Sequence, residues 1–99
     1  MAMDLAQVRS KVKDIAAKSL KNERIDDVLV EPDVDQRDRD ALRITVVLKD
    51  RRHLKVSGES AVSIMMATSE YLEAHGDDRF PYVSFVTTKE LASLNDGHD

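Results

Sequence analysis

Between Ser60 and Ser69 there is no charged side chain, in a protein in which 34% of residues are charged, so this stretch must be covered by something. Ala61, Val62, Ile64, Met65, Met66 and Ala67 stand almost back to back, followed by Tyr71 and Leu72. At about 100° per residue the pattern predicts a helix over 58–75 with a core stripe of Ala61, Met65 and Leu72, flanked by Val62 and Thr68. Ile64 and Tyr71 fall to one side of that stripe and Met66 to the other. The apolar arc spans roughly 220°, wider than a helix lying on one sheet face needs. Ile64, Met66 and Tyr71 are therefore the expected partner-binding residues, with cover from elsewhere in the same chain as the alternative. The flanking residues mark the helix ends. Ser57 or Ser60 can accept an N-cap bond, Glu59 suits the positive N-terminus, His75 suits the last turn, and Gly76 supplies a left-handed C-cap.

With 99 residues the chain reads as one domain over 1–94 with a fraying tail at 95–99. A domain of this size buries only about two-thirds of its unfolded surface, so a partner subunit is a natural source of extra stability. Hydrophobic content of 41% is globular, while 4% aromatic residues imply a thin core. The absence of cysteine removes disulfides, thiolate metal sites and a cysteine nucleophile, and fits a reducing compartment. The longest apolar run is Ile64 to Ala67, and the first residues lack the basic segment and apolar run of a secretory signal, so a cytoplasmic location without membrane attachment is expected.

The net charge of −4 is unevenly distributed. Basic residues exceed acidic ones only in 1–24 and 51–60, while 25–50 and 61–99 are acidic. Any cationic surface is therefore local, and the bulk field repels nucleic acid.

Taken in order, residues 4–21 read as an amphipathic helix with Leu5, Val8, Val12, Ile15 and Ser19 on one stripe and Asp4 and Gln7 placed as a capping box. Asn22 to Asp27 reads as a polar connection. Val28 to Val30 form a short strand that Glu31-Pro32 ends or pushes to an edge. Asp33 to Asp40 is a charged loop. Leu42, Ile44, Val46 and Leu48 alternate with Arg43, Thr45, Val47 and Lys49, a period of two that implies a strand buried mainly on one face. The two strands most simply form an antiparallel hairpin. His53 to Val56 reads as a possible further strand, Tyr82 to Thr87 as a strand that Phe80-Pro81 leads into, and Thr87 or Thr88 with Glu90 as the cap of a terminal helix carrying Leu91 and Leu94. The expected architecture is α+β, one small, mainly antiparallel sheet with helices packed on a face, in the order α-β-β-(β)-α-β-α.

The chemical motifs fail on named residues. Asp33, Asp35, Asp38 and Asp40 offer clustered oxygens, but a calcium loop counted from Asp33 would need Gly where Asp38 stands and Glu where Ile44 stands, and Arg37 and Arg39 neutralise the cluster. Metal-dependent nucleases with a restriction-enzyme-like core place an Asp on one strand and an acid-x-Lys triplet on the next. Here Asp33 precedes Val47-Leu48-Lys49, and Val47 occupies the second carboxylate's position. His53, His75 and His98 share no zinc-type spacing, no serine sits in a nucleophile elbow, and Gly58 stands alone, so no phosphate loop or G-x-x-G clamp is present. No catalysis, cofactor or metal is expected.

Arg51, Arg52, His53 and Lys55 form the one local basic cluster, extended in space by Arg9, Lys11 and Lys13. It supports nucleic-acid binding as an alternative, weakened by the lack of interleaved aromatic side chains. The leading reading is a non-catalytic protein–protein interaction module, a small accessory or regulatory protein acting as a homodimer or with a partner protein. Element order, size and acidity are similar to those of dimeric secretion chaperones, which bind a client segment, and that resemblance concerns architecture alone.

Overall fold

Alternation and capping translate into six elements in a computed structural model that describes residues 3–20, 25–49 and 58–95. They are α1 (Leu5–Ser19), β1 (Ile25–Val34), β2 (Asp40–Leu48), α2 (Gly58–Ala74), β3 (Phe80–Thr87) and α3 (Thr88–Asn95). β2 lies in the middle of a three-stranded sheet. It pairs antiparallel with β1, from Ile25 opposite Leu48 to Val34 opposite Asp40. It pairs in parallel with β3, from Ala41 beside Phe80 to Leu48 beside Thr87. A parallel pair needs a crossover, and α2 lies within it. The result is a small, open, mixed sheet, and the fold is α+β.

The pleat of β2 sorts the molecule into two sides. Leu42, Ile44, Val46 and Leu48 point into one core with Val8, Val12, Ala16 and Leu20 from α1, Val28 from β1, and Ile64 and Leu72 from α2. α1 packs against β1 and α2 against β3, and the two helices touch each other. The opposite face carries Arg43 and Thr45, with Val47 buried near the end of β2, where α3 lies against β2 and β3. Among the described residues no helix is long and apolar enough to cross a membrane.

Several local signals work as their chemistry dictates. Gly76 adopts φ 77°, and Asp77 N–H donates to Leu72 O at 2.9 Å while Gly76 N–H donates to Glu73 O at 3.1 Å, the paired bonds of a Schellman C-cap. His75 Nδ1 donates to Tyr71 O at 2.9 Å. Thr87 N–H donates to Glu90 Oε1 at 2.9 Å and Glu90 N–H to Thr87 Oγ1 at 3.1 Å, a capping box at the start of α3. Asp4 holds the N-cap position of α1 but makes no side-chain cap bond.

Other expectations are corrected. β1 runs on through Pro32, because it is an edge strand whose outer side needs no ladder donor, and it begins at Ile25 within the expected polar connection. The charged loop contracts to a turn around Asp35 to Arg39. There Asp35 Oδ1 accepts from the backbone N–H groups of Arg37 and Arg39 at 2.8 and 3.0 Å, and Asp38 takes a left-handed φ of 61°. The buried line of α2 is Ile64, Thr68 and Leu72, while Ala61 and Met65 are half-buried and Val62 is exposed. The whole helix is turned toward Ile64 from the expected phase. An apolar arc that wide does not set its own rotation; α1 and β3 set it. Ser57 and the strand expected over 53–56 lie outside the described residues, as do the side chain of Leu94 and the tail with His98.

Candidate functional site

The sheet has two edges, and their side chains differ. β1 carries Asp26, Asp27, Glu31 and Asp33 together with Pro32, and its register with β2 shifts between Ile25 and Asp27. Arg9 reaches from α1 over this edge, donating through Nε to Val28 O at 2.8 Å and pairing with Asp27. The Arg9 hydrogen bond is the main reason that the Asp27 carboxyl is held below its ordinary value, with help from the Val28 N–H. β3 reads Phe-Pro-Tyr-Val-Ser-Phe-Val-Thr, without a charge. Among the described residues no strand pairs with its outer edge.

Four of the five large apolar side chains that are exposed among the described residues lie on α2 and β3, and the fifth, Val34, stands at the end of β1. Val62 and Met66 of α2 are 50% and 58% exposed, and Phe80 and Tyr82 of β3 are 43% and 47% exposed. The Phe80 and Tyr82 rings meet edge to face with centroids 4.8 Å apart. Register places both on the outer sheet face, beside Ala41 and Arg43. Tyr82 stands between two shallow concavities of about 570 and 460 Å³, both bordered by Asp35 and Arg39. A third, of about 810 Å³, runs over the outer face between Leu29, Arg43, Ser84, Val86 and Leu91. Val83 and Phe85 belong to the core side but are only half-buried, so α2 does not close the core over β3.

A buried ion pair holds the start of β3. Asp77, 2% exposed, accepts from Arg79 Nη2 at 2.6 Å and from the Met3 backbone N–H at 2.9 Å. Arg79 Nη2 also donates to Met3 O at 3.0 Å. This clasp ties the turn after α2 to the residues that precede α1. The Arg79 bonds, partly opposed by burial and aided by the Met3 N–H, bring the Asp77 carboxyl down from 3.8 to about 2. Reciprocally, Asp77 raises the Arg79 guanidinium above its ordinary value. One buried polar atom near α2 has no such partner: Thr68 Oγ1 makes no hydrogen bond.

The residues singled out from the sequence fare differently. Ile64 is fully buried in the chain's own core, which corrects the expectation that it flanks a partner. Tyr71 is half-buried on the α1 side, its ring 4.5 Å from His75 and 5.5 Å from Lys11 Nζ. Met66 remains exposed, now with Val62 beside it. Phe80, Tyr82, Asp77 and Arg79 were not singled out. The signal for the aromatic pair lay in Phe80-Pro81-Tyr82 at the head of an uncharged strand.

Asp33 and Lys49 lie at opposite ends of the β1–β2 hairpin and have different partners, Arg43 at 3.3 Å and Asp26 at 2.8 Å. Arg51, Arg52, His53 and Lys55 lie outside the described residues. Of the cations expected to extend that cluster, Arg9 turns to β1 and Lys11 to Tyr71. Among the described residues no three His, Asp or Glu side chains are grouped as metal ligands. No family model matches the chain, and no curated protein or solved structure matches it.

Proposed function

We propose that this chain is a non-catalytic protein–protein interaction module that works by burying the apolar surface on its β3 side against another protein. The observation that carries the reading is an asymmetry. Val62, Met66, Phe80 and Tyr82 are exposed around a strand without charge, while β1 bears acids, a proline and the Arg9 guanidinium, with Val34 alone exposed among its large apolar side chains. Desolvating an apolar side chain of this size contributes about 1.5 to 3 kcal/mol, and exposed methionine adapts to an irregular partner surface. Aromatic residues with one polar end, such as Tyr82, are favoured at the centre of such contacts. Arg9, Arg39, Arg43, Lys49 and Arg79 are each already paired with a carboxylate, which favours this reading over phosphate binding by the described residues.

The test compares the wild-type chain with Met66→Glu, Tyr82→Glu and, as a control on the other edge, Glu31→Lys. Self-association is followed by light scattering, and capture of other proteins by immobilised chain in extract of the producing cell. The reading expects association of at least one kind that the first two substitutions abolish and the control preserves. No association of either kind, or one indifferent to Met66 and Tyr82, would overturn it.

A further inference from the structure

The geometry points to a second copy of this chain as the partner, joined edge to edge through β3 so that two three-stranded sheets become one of six strands; this rests on the interaction-module reading. We propose an isologous two-fold interface in which β3 pairs antiparallel with its own copy and α2 lies beside its own copy over the seam.

The first argument is what β3 omits. Exposed edges in natural sheets are blunted by charge, proline, bulges or cover. β1 has charge, proline and cover, and its register shifts near its start. Among the described residues β3 has only Pro81, at its second position, and Tyr82 to Thr87 are uncharged and able to extend the ladder.

The second argument is what stands above that edge. The Tyr71 flank of α2 faces α1, since Lys11 lies against the Tyr71 ring. The opposite flank, with Val62, Met65 and Met66, therefore faces away from α1. Because α1 packs on β1 and α2 on β3, that flank overhangs the outer edge of β3, with which no strand pairs among the described residues. Helix and strand thus present one continuous side. Val62 and Met66 would be covered by the copy, as would the half-open margin at Val83 and Phe85.

The third argument is self-complementarity. In a two-fold contact each residue on the axis meets itself, so the axis must pass through residues that tolerate their own copy. Met66 is the middle residue of α2 and Val83 and Ser84 are the middle of β3, and none of these is charged. An axis through Met66 sets Glu59 of one copy toward Glu73 of the other, both exposed; seven residues, about 10 Å, from the axis, these like charges fall in the solvated rim and make the contact tighter at higher salt. Size is compatible too. An eight-residue strand is about 27 Å long, and a helix layer on a sheet layer stands about 20 Å high, so this side offers roughly 550 Å² in projection. That is of the order of the ~800 Å² of accessible surface that a stable contact takes from each partner.

The experiment measures solution mass by light scattering and amide exchange across β3, on the full chain over a dilution series up to about 1 mM, where even weak pairing is populated. Two variants accompany it: Ser84→Lys, at an exposed position near the strand centre, and the double variant Val62→Glu with Met66→Glu. The proposal expects a wild-type mass of twice 11.1 kDa and slowed exchange along Tyr82 to Thr87. Both variants should return to 11.1 kDa with unchanged circular dichroism and melting behaviour of the monomer. A wild-type monomer throughout overturns the proposal, as does a dimer that survives both variants. A monomer that captures a different protein through Tyr82 overturns the homodimer and leaves the module reading standing, whereas a monomer that captures nothing removes both.

Discussion

Strand β1 presents Asp26, Asp27, Glu31 and Asp33 along its length, takes Pro32 into its ladder, and has the Arg9 guanidinium folded over its Val28 carbonyl. Strand β3 runs from Phe80 to Thr87 without a charge, with Phe80 and Tyr82 exposed on one face and Val83 and Phe85 half-buried on the other. Both are edge strands of one small sheet, and both pair with β2. Charges that desolvate poorly make the first edge repel another strand, while the second lacks that defence over most of its length. The difference teaches that edge protection is decided strand by strand, and the less defended edge, among the described residues, is the one on which the proposed association rests.

The comparison depends on β3 being held in register, and the clasp at its start is where it breaks most easily. Asp77→Ala leaves Arg79 buried without its carboxylate and should cost about 3 to 5 kcal/mol in chemical denaturation. Amide exchange should show β3 loosened more than β1. The same pair gives a pH signature. Because the Asp77 carboxyl is lowered in the folded chain to about 2, its contribution is complete above the ordinary value near 3.8 and is lost as pH falls toward 2. That amounts to about 2 kcal/mol between those limits, and in Asp77→Asn this part of the acid profile should flatten.

The β1 side can be tested by stripping its cover. Arg9→Ala frees Val28 O and Asp27 at a half-exposed site, so the loss should be about 1 kcal/mol. Adding Glu31→Val still leaves Asp26, Asp27, Pro32 and Asp33 on this edge, so scattering should stay that of a monomer in the Ser84→Lys background. The smallest effect concerns the seat of α2 over β3. Thr68→Val replaces a buried hydroxyl that has no partner with a methyl of similar shape, and the melting temperature should rise, corresponding to a gain of up to about 1 kcal/mol.

Much of this architecture was legible in local chemistry. The spacing of Val8, Val12 and Ala16 located α1, the alternation from Leu42 to Leu48 located β2, and Gly76 and the Thr87–Glu90 pair marked helix ends. Each depends on residues a few positions apart, so the sequence carries both halves of the interaction. The surface was less legible. The width of the apolar arc predicts flanks outside the core, and Met66 is exposed on one of them, while Ile64, expected on the other, is buried in the core. The pattern predicts Phe80 only as a strand's approach and Tyr82 only as its first residue, and the basic cluster at 51–55 lies outside the described residues.

The order of elements, the α+β class and the faces of β2 follow from the amino-acid sequence, because period and capping are properties of neighbouring residues. The rotation of α2, the run of β1 through Pro32, the parallel pairing of β3 with β2 and the Asp77–Arg79–Met3 clasp were decided by the tertiary structure. Each joins residues far apart in the chain or depends on which surface packs against which. A wide apolar arc is compatible with several rotations, and a proline is tolerated or excluded according to whether its strand lies at an edge. Only the packing of α1 on β1 and α2 on β3 selected one arrangement, and it left β3 with its outer edge open among the described residues.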